Sequence, residues 1–183
     1  MKYRLAARAD VPAMLDIYRP YVERDTASFE YEAPSPAAFA ARFEAVTADF
    51  PWYVAEEGGA AVGFAYASRP FQRAAYQWDA ELSVYVAAAC HGRGVGRTLY
   101  GLLERDLLAM GYVKVYALIT SENAASIAFH EKMGYRLVAE MPAAGYKFGR
   151  WLSVAWYEKT LRDAPDPGPA PRRFRQLKEG EES

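Results

Sequence analysis

The amino-acid sequence predicts a single mixed α/β (α+β) domain, and three observations lead to this prediction. Short segments of alternating apolar and polar residues, typical of strands, are interspersed with segments whose apolar residues recur every three or four positions, typical of helices. One strand is joined to the following helix by a glycine-rich loop. The chain has 183 residues, 52% of them hydrophobic, which is enough for one substantial core.

The first predicted elements are a strand at Lys2–Ala6 and a helix that begins after Asp10. Aspartate is a good N-cap, and Pro12 fits the first turn of a helix. The segment Asp25–Pro34 has no clear period and is predicted to be a loop. The apolar face of the first helix carries Leu15, Tyr18 and Val22.

A second helix is predicted from the cap Ser35 and the first-turn residue Pro36. Two strand-like runs flank Gly58-Gly59 and predict a hairpin, and the connection Arg69–Gln77 leads into the strand that contains Glu81. The apolar residues of the second helix are Phe39, Phe43, Val46 and Phe50, and the hairpin strands are Trp52–Glu57 and Ala60–Ser68.

In the second half of the chain, the helix after the glycine loop is predicted to run to about Met110 and to stop at Gly111. The elements predicted after it are a buried strand at Val113–Ile119, a helix from Ser121 or Asn123 to Met133, a strand at Tyr135–Met141, a turn containing Gly145, and a last strand at Trp151–Leu161. We expect residues 1–161 to form the domain. Residues 162–183 are Pro-rich and charged, and we expect this tail to be extended and poorly folded alone.

Composition and charge exclude several functional classes. The formal net charge is -1, so a binder that neutralises nucleic-acid phosphates with excess Lys and Arg is not expected. One cysteine and two histidines exclude an intramolecular disulfide and argue against a structural metal site. We find neither a signal peptide nor an apolar run of about 18 residues, so no membrane span is expected and the predicted location is the cytoplasm.

The stretch Glu81–Leu103 contains the candidate ligand-binding loop. A strand leads into Cys90–Gly96, where three glycines at alternate positions allow a tight turn and close approach of a ligand to the backbone. The start of the following helix has free N–H groups and a partial positive charge, and Arg93 and Arg97 add full charges. We interpret the loop as a pyrophosphate site, although its spacing fits neither a nucleotide P-loop nor a dinucleotide fingerprint.

The segment His91–Gly96 resembles the acetyl-CoA loop of the GNAT N-acetyltransferases, whose pattern is Gln/Arg-x-x-Gly-x-Gly/Ala; His91 replaces the first residue of that pattern. Asn123–Ser126 followed by Phe129–Tyr135 resembles the second GNAT signature. Within that superfamily, two further segments resemble the phosphinothricin and methionine sulfoximine N-acetyltransferases. They are Trp78–Val86 and Ala144–Trp151.

This resemblance implies a GNAT fold, a mixed sheet of about seven strands flanked by about four helices, with strands four and five splayed to admit acetyl-CoA. It also implies direct transfer of an acetyl group to the amine of a small amino-acid-like substrate. A homodimer is expected, without metal, nucleic acid or membrane as partner. We expect the aromatic-rich end of the domain, Tyr146–Trp156, to contribute to the dimer interface.

Glu81 and His130 are the candidate catalytic residues. A carboxylate at the end of a strand could take the proton of the attacking ammonium; the alternative is a solvated Glu at a strand edge. The resemblance places His130 where GNAT enzymes carry a residue that protonates the thiolate, and an imidazole that titrates near neutrality could do this. The alternative for His130 is a packed helical histidine.

The candidate cofactor-binding residues lie on the strand, the glycine loop and the next helix. The strand is expected to offer its backbone groups to the pantetheine arm and the thioester oxygen. Asn123 is expected to bond the pantetheine or phosphate region, although it would also serve as a helix cap. The set comprises Val84, Tyr85, Val86, Gly92, Arg93, Gly94, Val95, Gly96, Arg97, Asn123 and Ser126.

The candidate acceptor-binding residues are less well defined. Arg69-Pro70-Phe71 resembles a substrate-contacting segment of the methionine sulfoximine enzymes, in which an Arg would pair with a carboxylate. Arg73 is the competing choice. Phe29 and Tyr31 would close over the substrate or simply pack in their loop. The set comprises Phe29, Arg69, Pro70, Phe71, Arg73, Glu81, Leu82 and Ser83.

Two alternative functions remain open at this point. One is the same chemistry with another acceptor, such as a polyamine, an aminoglycoside or a protein N-terminus. The other is a non-catalytic module that binds acyl-CoA as a sensor. The presence of both Glu81 and His130 favours an enzyme, and Arg69 and Arg73 favour an anionic amino acid as acceptor.

Overall fold

A computed structural model describes residues 1–165 and 168–181 of the chain. In these residues, seven strands form one sheet, and five α-helices accompany it. The elements are β1 (Lys2–Leu5), α1 (Val11–Glu23), α2 (Pro36–Thr47), β2 (Trp52–Glu57), β3 (Ala60–Ser68), β4 (Asp79–Val86), α3 (Val95–Met110), β5 (Lys114–Thr120), α4 (Ala124–Lys132), β6 (Arg136–Lys147), β7 (Arg150–Thr160) and α5 (Phe174–Glu181).

The strand order is β1-β2-β3-β4-β5-β7-β6, and every neighbouring pair is antiparallel except β4 and β5. These two parallel strands pair only from Asp79 with Lys114 to Glu81 with Tyr116. Both strands continue beyond the last pair, so they diverge and leave a cleft in the middle of the sheet. The predicted seven-stranded mixed sheet with splayed strands four and five is thereby confirmed.

Two apolar clusters cover the two faces of the sheet. On one face, α3 contributes a stripe at every fourth position, with Leu99, Leu103 and Leu107 fully buried. On the other face, α1 and α2 pack through residues such as Met14 and Phe39. The alternation along β4 supplies side chains to both clusters, which explains why this strand carries the site.

Two predicted boundaries on the sheet and helices are wrong. The helix α2 ends at Thr47, so Phe50 lies beyond it, although its side chain is buried in the core. The expected turn at Gly145 lies inside β6, which runs to Lys147. The register between β6 and β7 shifts between Met141 and Gly145, so a bulge rather than a turn accommodates the extra residues.

The prediction of an extended tail is wrong for α5. This helix buries Phe174 and Leu177 in the same cluster as α3, because the two residues are three positions apart and fall on one helical face. The preceding segment is fixed by hydrogen bonds from Arg172 N to Met110 O (2.9 Å) and from Trp78 Nε1 to Pro169 O (2.9 Å).

The helix α5 also brings the number of α-helices to five rather than about four.

The domain boundary after residue 161 stays a prediction. The part of the tail prediction that falls on residues 166–167 and 182–183 lies outside the described residues. No helix within residues 1–165 and 168–181 is both long enough and apolar enough to cross a membrane.

Candidate active site

A cavity of about 1020 Å³ opens where β4 and β5 diverge. The glycine loop, α4 and the loop between α1 and α2 complete its walls. The predicted site residues that line it are Phe29, Glu81, Leu82, Ser83, Val84, Tyr85, Val86, Gly92, Gly94, Val95, Gly96, Arg97, Asn123, Ser126 and His130. The predicted site residues that do not are Arg69, Pro70, Phe71, Arg73 and Arg93.

One end of the cavity is the start of α3. Gly92 (φ 73°) and Gly94 (φ 81°) adopt left-handed backbone conformations, which side chains disfavour. No side chain of the described residues caps α3, whereas Ser35 caps α2 and Asn123 caps α4. The first N–H groups of α3 are therefore left for a ligand, and their partial positive charge suits an anion.

The charges around this end differ from the expectation. Arg97 lines the cavity, and so does Lys132 of α4, which was not predicted. Arg93 instead forms a bidentate pair with Glu57 of β2, with N–O distances of 2.9 and 2.6 Å. Two cations thus line the cavity, while the guanidinium of Arg93 is paired with Glu57 and does not line it.

The hydrogen-bond pattern of β4 decides which backbone groups face the cleft. Ala87 N donates to Val62 O (2.8 Å), which fixes the alternation between bonded and non-bonded pairs along β3 and β4. By this alternation, Leu82, Val84 and Val86 occupy non-bonded positions. Their N–H and C=O groups point away from β3; the N–H of Leu82 belongs to the last β4–β5 pair, and the other groups face the cleft.

Two tyrosines supply hydroxyl groups to two of these carbonyls. Tyr100 Oη lies between two acceptors, Leu82 O (3.1 Å) and His130 Nε2 (3.0 Å), which share its one proton, and Tyr21 Oη donates to Val86 O (2.6 Å). Among the described residues, only Val84 keeps both its cleft-facing N–H and C=O without a partner. Backbone recognition of a ligand is therefore concentrated at Val84, and the carbonyl of Val86 is already occupied.

His91, at the first position of the glycine-loop pattern, contacts both Tyr21 and the end of β4. Its Nε2 lies 2.9 Å from Tyr21 Oη and 2.9 Å from Val86 O. The imidazole therefore helps to hold the end of β4 against α1. The sequence indicated neither Tyr21 nor this contact, because Tyr21 lies outside the apolar stripe of the predicted helix.

Glu81 lies at the branch point, in the last pair of β4 and β5. Its side chain is half-buried, and no described residue forms a hydrogen bond or ion pair with it. Burial raises the pKa of the carboxyl above its ordinary value. A carboxylate without a partner and with a raised pKa is a stronger base than an exposed one, which suits deprotonation of an amine.

His130 is buried, with only 3% of its surface exposed. Its Nδ1 donates to Ser126 O (2.8 Å), and its Nε2 lies 3.0 Å from Tyr100 Oη. Burial lowers the pKa of the imidazole from 6.5 to about 4. The expectation that this ring titrates near neutrality is wrong, so at pH 7 it is neutral and its Nε2 is an acceptor.

Tyr100 connects the two candidate catalytic regions. Its hydroxyl lies between Leu82 O on β4 and the Nε2 of His130 on α4, and it lines the cavity. The sequence contained no separate signal for it, because Tyr100 falls on the buried face of α3 and looks like an ordinary core residue. Its neighbour Leu99, in the core of the same helix, has the same appearance in the sequence.

The predicted acceptor segment lies beside the cavity. Phe71 stacks on Trp156 of β7, with ring centroids 5.6 Å apart, and Arg69 lies 3.6 Å from Asp49. Arg73 precedes a short 3-10 helix at Ala74–Tyr76. The structure therefore does not bring Arg69 or Arg73 to the lining of the cavity, and their contact with an acceptor stays a prediction.

The described residues, 1–165 and 168–181, contain no cluster of three or more His, Cys, Asp or Glu side chains arranged to hold a metal ion. Cys90 is a free, buried cysteine, 3.4 Å from an Arg93 nitrogen.

Residues 3–156 match the family described as acetyltransferase (GNAT) domain. The chain is 36% identical over 169 residues to phosphinothricin N-acetyltransferase of Streptomyces viridochromogenes, covering 92% of each protein. It is 34% identical over 169 residues to the L-methionine sulfoximine/L-methionine sulfone acetyltransferase of Salmonella typhimurium, covering 91% of this chain and 99% of that protein. The crystal structure of a phosphinothricin acetyltransferase from Sinorhizobium meliloti in complex with AcCoA superposes with a TM-score of 0.84 at 36% identity, covering 87% of this chain and 88% of that one.

The buried state of His130 predicts a pH dependence of stability. Because its pKa is about 4 when folded and 6.5 when exposed, the unfolded chain binds a proton between these values and the folded chain does not. The wild type should therefore lose up to about 3 kcal/mol from this group as the pH falls through that window. His130→Gln should lack this component in urea unfolding at a series of pH values.

The matched control is His91→Gln, which removes the exposed histidine. Identical slopes of the free energy of unfolding against pH for the wild type and His130→Gln would contradict a buried, neutral imidazole.

Proposed function

The chain belongs to the GNAT acetyltransferase family and is an N-acetyltransferase; within that activity, we propose that it transfers the acetyl group of acetyl-CoA directly to the amine of a small amino-acid-like substrate of the phosphinothricin or methionine sulfoximine type. One observation carries the proposal. A single cavity joins an uncapped helix N-terminus, suited to a pyrophosphate, to the unpartnered carboxylate of Glu81.

The residues at the α3 end fit acetyl-CoA. The N–H groups at Val95, Gly96 and Arg97 would bind the pyrophosphate, with the Arg97 and Lys132 side chains adding charge. The free N–H and C=O of Val84 would pair with the pantetheine arm in the manner of an added strand. Bound there, acetyl-CoA supplies the thioester whose carbonyl carbon the amine attacks.

Glu81 acts as the base in this proposal. It takes a proton from the ammonium group, so that the amine nitrogen can form a bond to the acetyl carbon as the carbon–sulfur bond breaks. The nitrogen then loses its second proton to water, and the released thiolate takes up a proton, which leaves an amide and a free thiol. Direct transfer gives Cys90 no task, in keeping with its burial.

The proton for the thiolate is proposed to come from Tyr100, whose hydroxyl His130 positions. Burial raises the pKa of Tyr100 well above its usual value, so its hydroxyl is protonated at neutral pH. The hydroxyl lines the cavity and lies 3.0 Å from the unprotonated Nε2 of His130, which orients it, and water replaces the proton that Tyr100 gives to the thiolate. His130 would thus act through Tyr100 rather than by direct contact with the thiolate.

One observation favours a second class of acceptor. The basic residues that line the cavity are His91, Arg97, His130 and Lys132, and none of them belongs to the strands around Glu81. A carboxylate on the acceptor would therefore need the segment with Arg69 and Arg73, or a second subunit. An acceptor without a carboxylate, such as a polyamine, an aminoglycoside or a protein N-terminus, is the alternative. The unpartnered Glu81 gives no support to a non-catalytic sensor.

We also propose a cytoplasmic homodimer. The outer strands expose large apolar side chains in one region, and a second copy would cover them. A cytoplasmic location is in keeping with a single free cysteine. The exposed residues are Leu137, Val138, Met141, Tyr146, Phe148 and Trp151.

The phosphate site predicts that Gly96→Ala weakens acetyl-CoA binding without unfolding the protein. An added Cβ would lie 3.6 Å from Phe129 and 3.7 Å from Val84, which is ordinary contact, but it would occupy the cavity beside the N–H groups of α3. We expect the dissociation constant from calorimetry to rise about tenfold. Gly101→Ala, in open space on the same helix, is the control and should bind normally. Equal affinities would contradict the site.

Acetylation itself is tested by measuring the free thiol released from acetyl-CoA in the presence of a candidate acceptor. The acceptors compared are phosphinothricin, methionine sulfoximine, free amino acids and polyamines. With the best acceptor, Glu81→Gln should lower kcat by roughly 10²–10⁴-fold while acetyl-CoA still binds. Higher pH should restore part of the rate, because more amine is then neutral. The exposed Glu32→Gln is the control. Wild-type rates in Glu81→Gln at every pH would rule out this base.

The dimer predicts a solution mass of about twice the 20.5 kDa of one chain in light scattering. Trp151→Glu should shift the protein toward the single-chain mass, because Trp151 is 66% exposed and would lie in the covered region. A wild type that stays at the single-chain mass at working concentration would count against the dimer.

A further inference from the structure

The loop between α1 and α2 forms one wall of the cavity, through Ala27, Ser28 and Phe29. The same cavity contains Glu81, which the acceptor amine must meet in the proposed reaction. The position of this wall therefore determines how much room an acceptor has. The contacts that hold it come from β5, β6 and the turn after β5.

Lys147, at the end of β6, fixes the backbone of this loop. Its side chain is 2% exposed, and its Nζ donates to three carbonyls: Val22 O (2.7 Å), Asp25 O (2.8 Å) and Ser28 O (2.5 Å). All three donors of the ammonium group are used. A buried cation bonded to three carbonyls of one chain reversal holds that reversal in one shape.

Two further hydrogen bonds attach the same loop to the sheet. Thr120 Oγ1 donates to Thr26 O (2.5 Å), and Tyr31 Oη donates to Tyr146 O (2.9 Å). The backbone before Phe29 is therefore held through Thr26 O and Ser28 O, and the side chain of Tyr31 anchors the loop after it. The ring of Phe29 can change its place only by rotating about its own side-chain bonds.

The ring of Phe29 lies against Gly145 of β6. A Cβ added at Gly145 would lie 2.2 Å from Phe29 Cε2 and 2.5 Å from Cδ2, too close for the two to coexist. Gly145 does not have a positive φ, so its backbone would accept another residue. Glycine is needed here for space alone, and that space is filled by the Phe29 ring.

We propose that Gly145 is a positioning residue that sets the acceptor selectivity of the enzyme through Phe29. The missing side chain lets the ring lie against β6, which leaves the acceptor end open to amines that carry an amino-acid-like side chain. A methyl group at position 145 would turn the ring toward the cavity, since the backbone of Phe29 is held in place. This inference rests on the proposed function of the same site.

The experiment combines Gly145→Ala with Phe29→Leu in a double-mutant cycle and measures two quantities. The first is the melting temperature, which should fall by several degrees for Gly145→Ala in the wild-type background and much less in the Phe29→Leu background. The second is the KM for the acceptor, which Gly145→Ala should raise about five- to tenfold by forcing an unfavourable ring rotamer. The dissociation constant for acetyl-CoA should not change.

The matched control is again Gly101→Ala, where an added methyl meets nothing. The selectivity should shift most for the bulkiest acceptors, and Phe29→Leu should restore the acceptor KM of Gly145→Ala. Equal effects of Gly145→Ala in both backgrounds, or an unchanged acceptor KM, would overturn the proposal. If no acceptor is turned over by the wild type, the proposed acceptor class fails, while the melting temperatures still report whether Gly145 and Phe29 are coupled.

Discussion

After three residue pairs, β4 and β5 stop exchanging hydrogen bonds, and much of the structure compensates for that separation. If the two parallel strands stayed paired along their whole length, the backbone groups that they direct toward each other would all form hydrogen bonds. Here the carbonyls of Leu82, Val84 and Val86 and the N–H groups of Val84 and Val86 would be left unpaired in a partly buried cleft, which is costly. Tyr100 from one face and Tyr21 from the other supply hydroxyls to two of these carbonyls. The cleft stays open because both layers of helices hold its edges.

The same separation explains the electrostatics of the site. Glu81 closes the last pair, so its carboxylate is neither packed between strands nor fully in water. Nothing in the described residues offsets its burial, and a raised pKa results. His130 has the opposite response to the same environment, because burial disfavours its charged form and lowers its pKa. A neutral imidazole and a basic carboxylate thus coexist in one cavity without an ion pair between them.

Sequence reasoning predicted most of the elements and the glycine loop, because periodicity and glycine spacing are local properties of the chain, whereas the splayed strands were implied by the resemblance to the GNAT family. It predicted Glu81 and His130 as site residues, and both line the cavity, though their roles stay predictions. It missed Tyr21, Tyr100 and Lys147, because their contacts depend on which elements meet in space. Gly145 was misread for a related reason: a glycine within a strand makes room for a distant ring, and the sequence alone does not distinguish this from a turn.

The helix α5 has a consequence for how the protein opens locally. Its Phe174 and Leu177 complete the apolar cluster that contains α3. Release of this helix alone would leave the seven strands paired, because α5 contributes no strand to the sheet. It would also expose the apolar side of α3, and an exposed surface of that kind favours association with other chains.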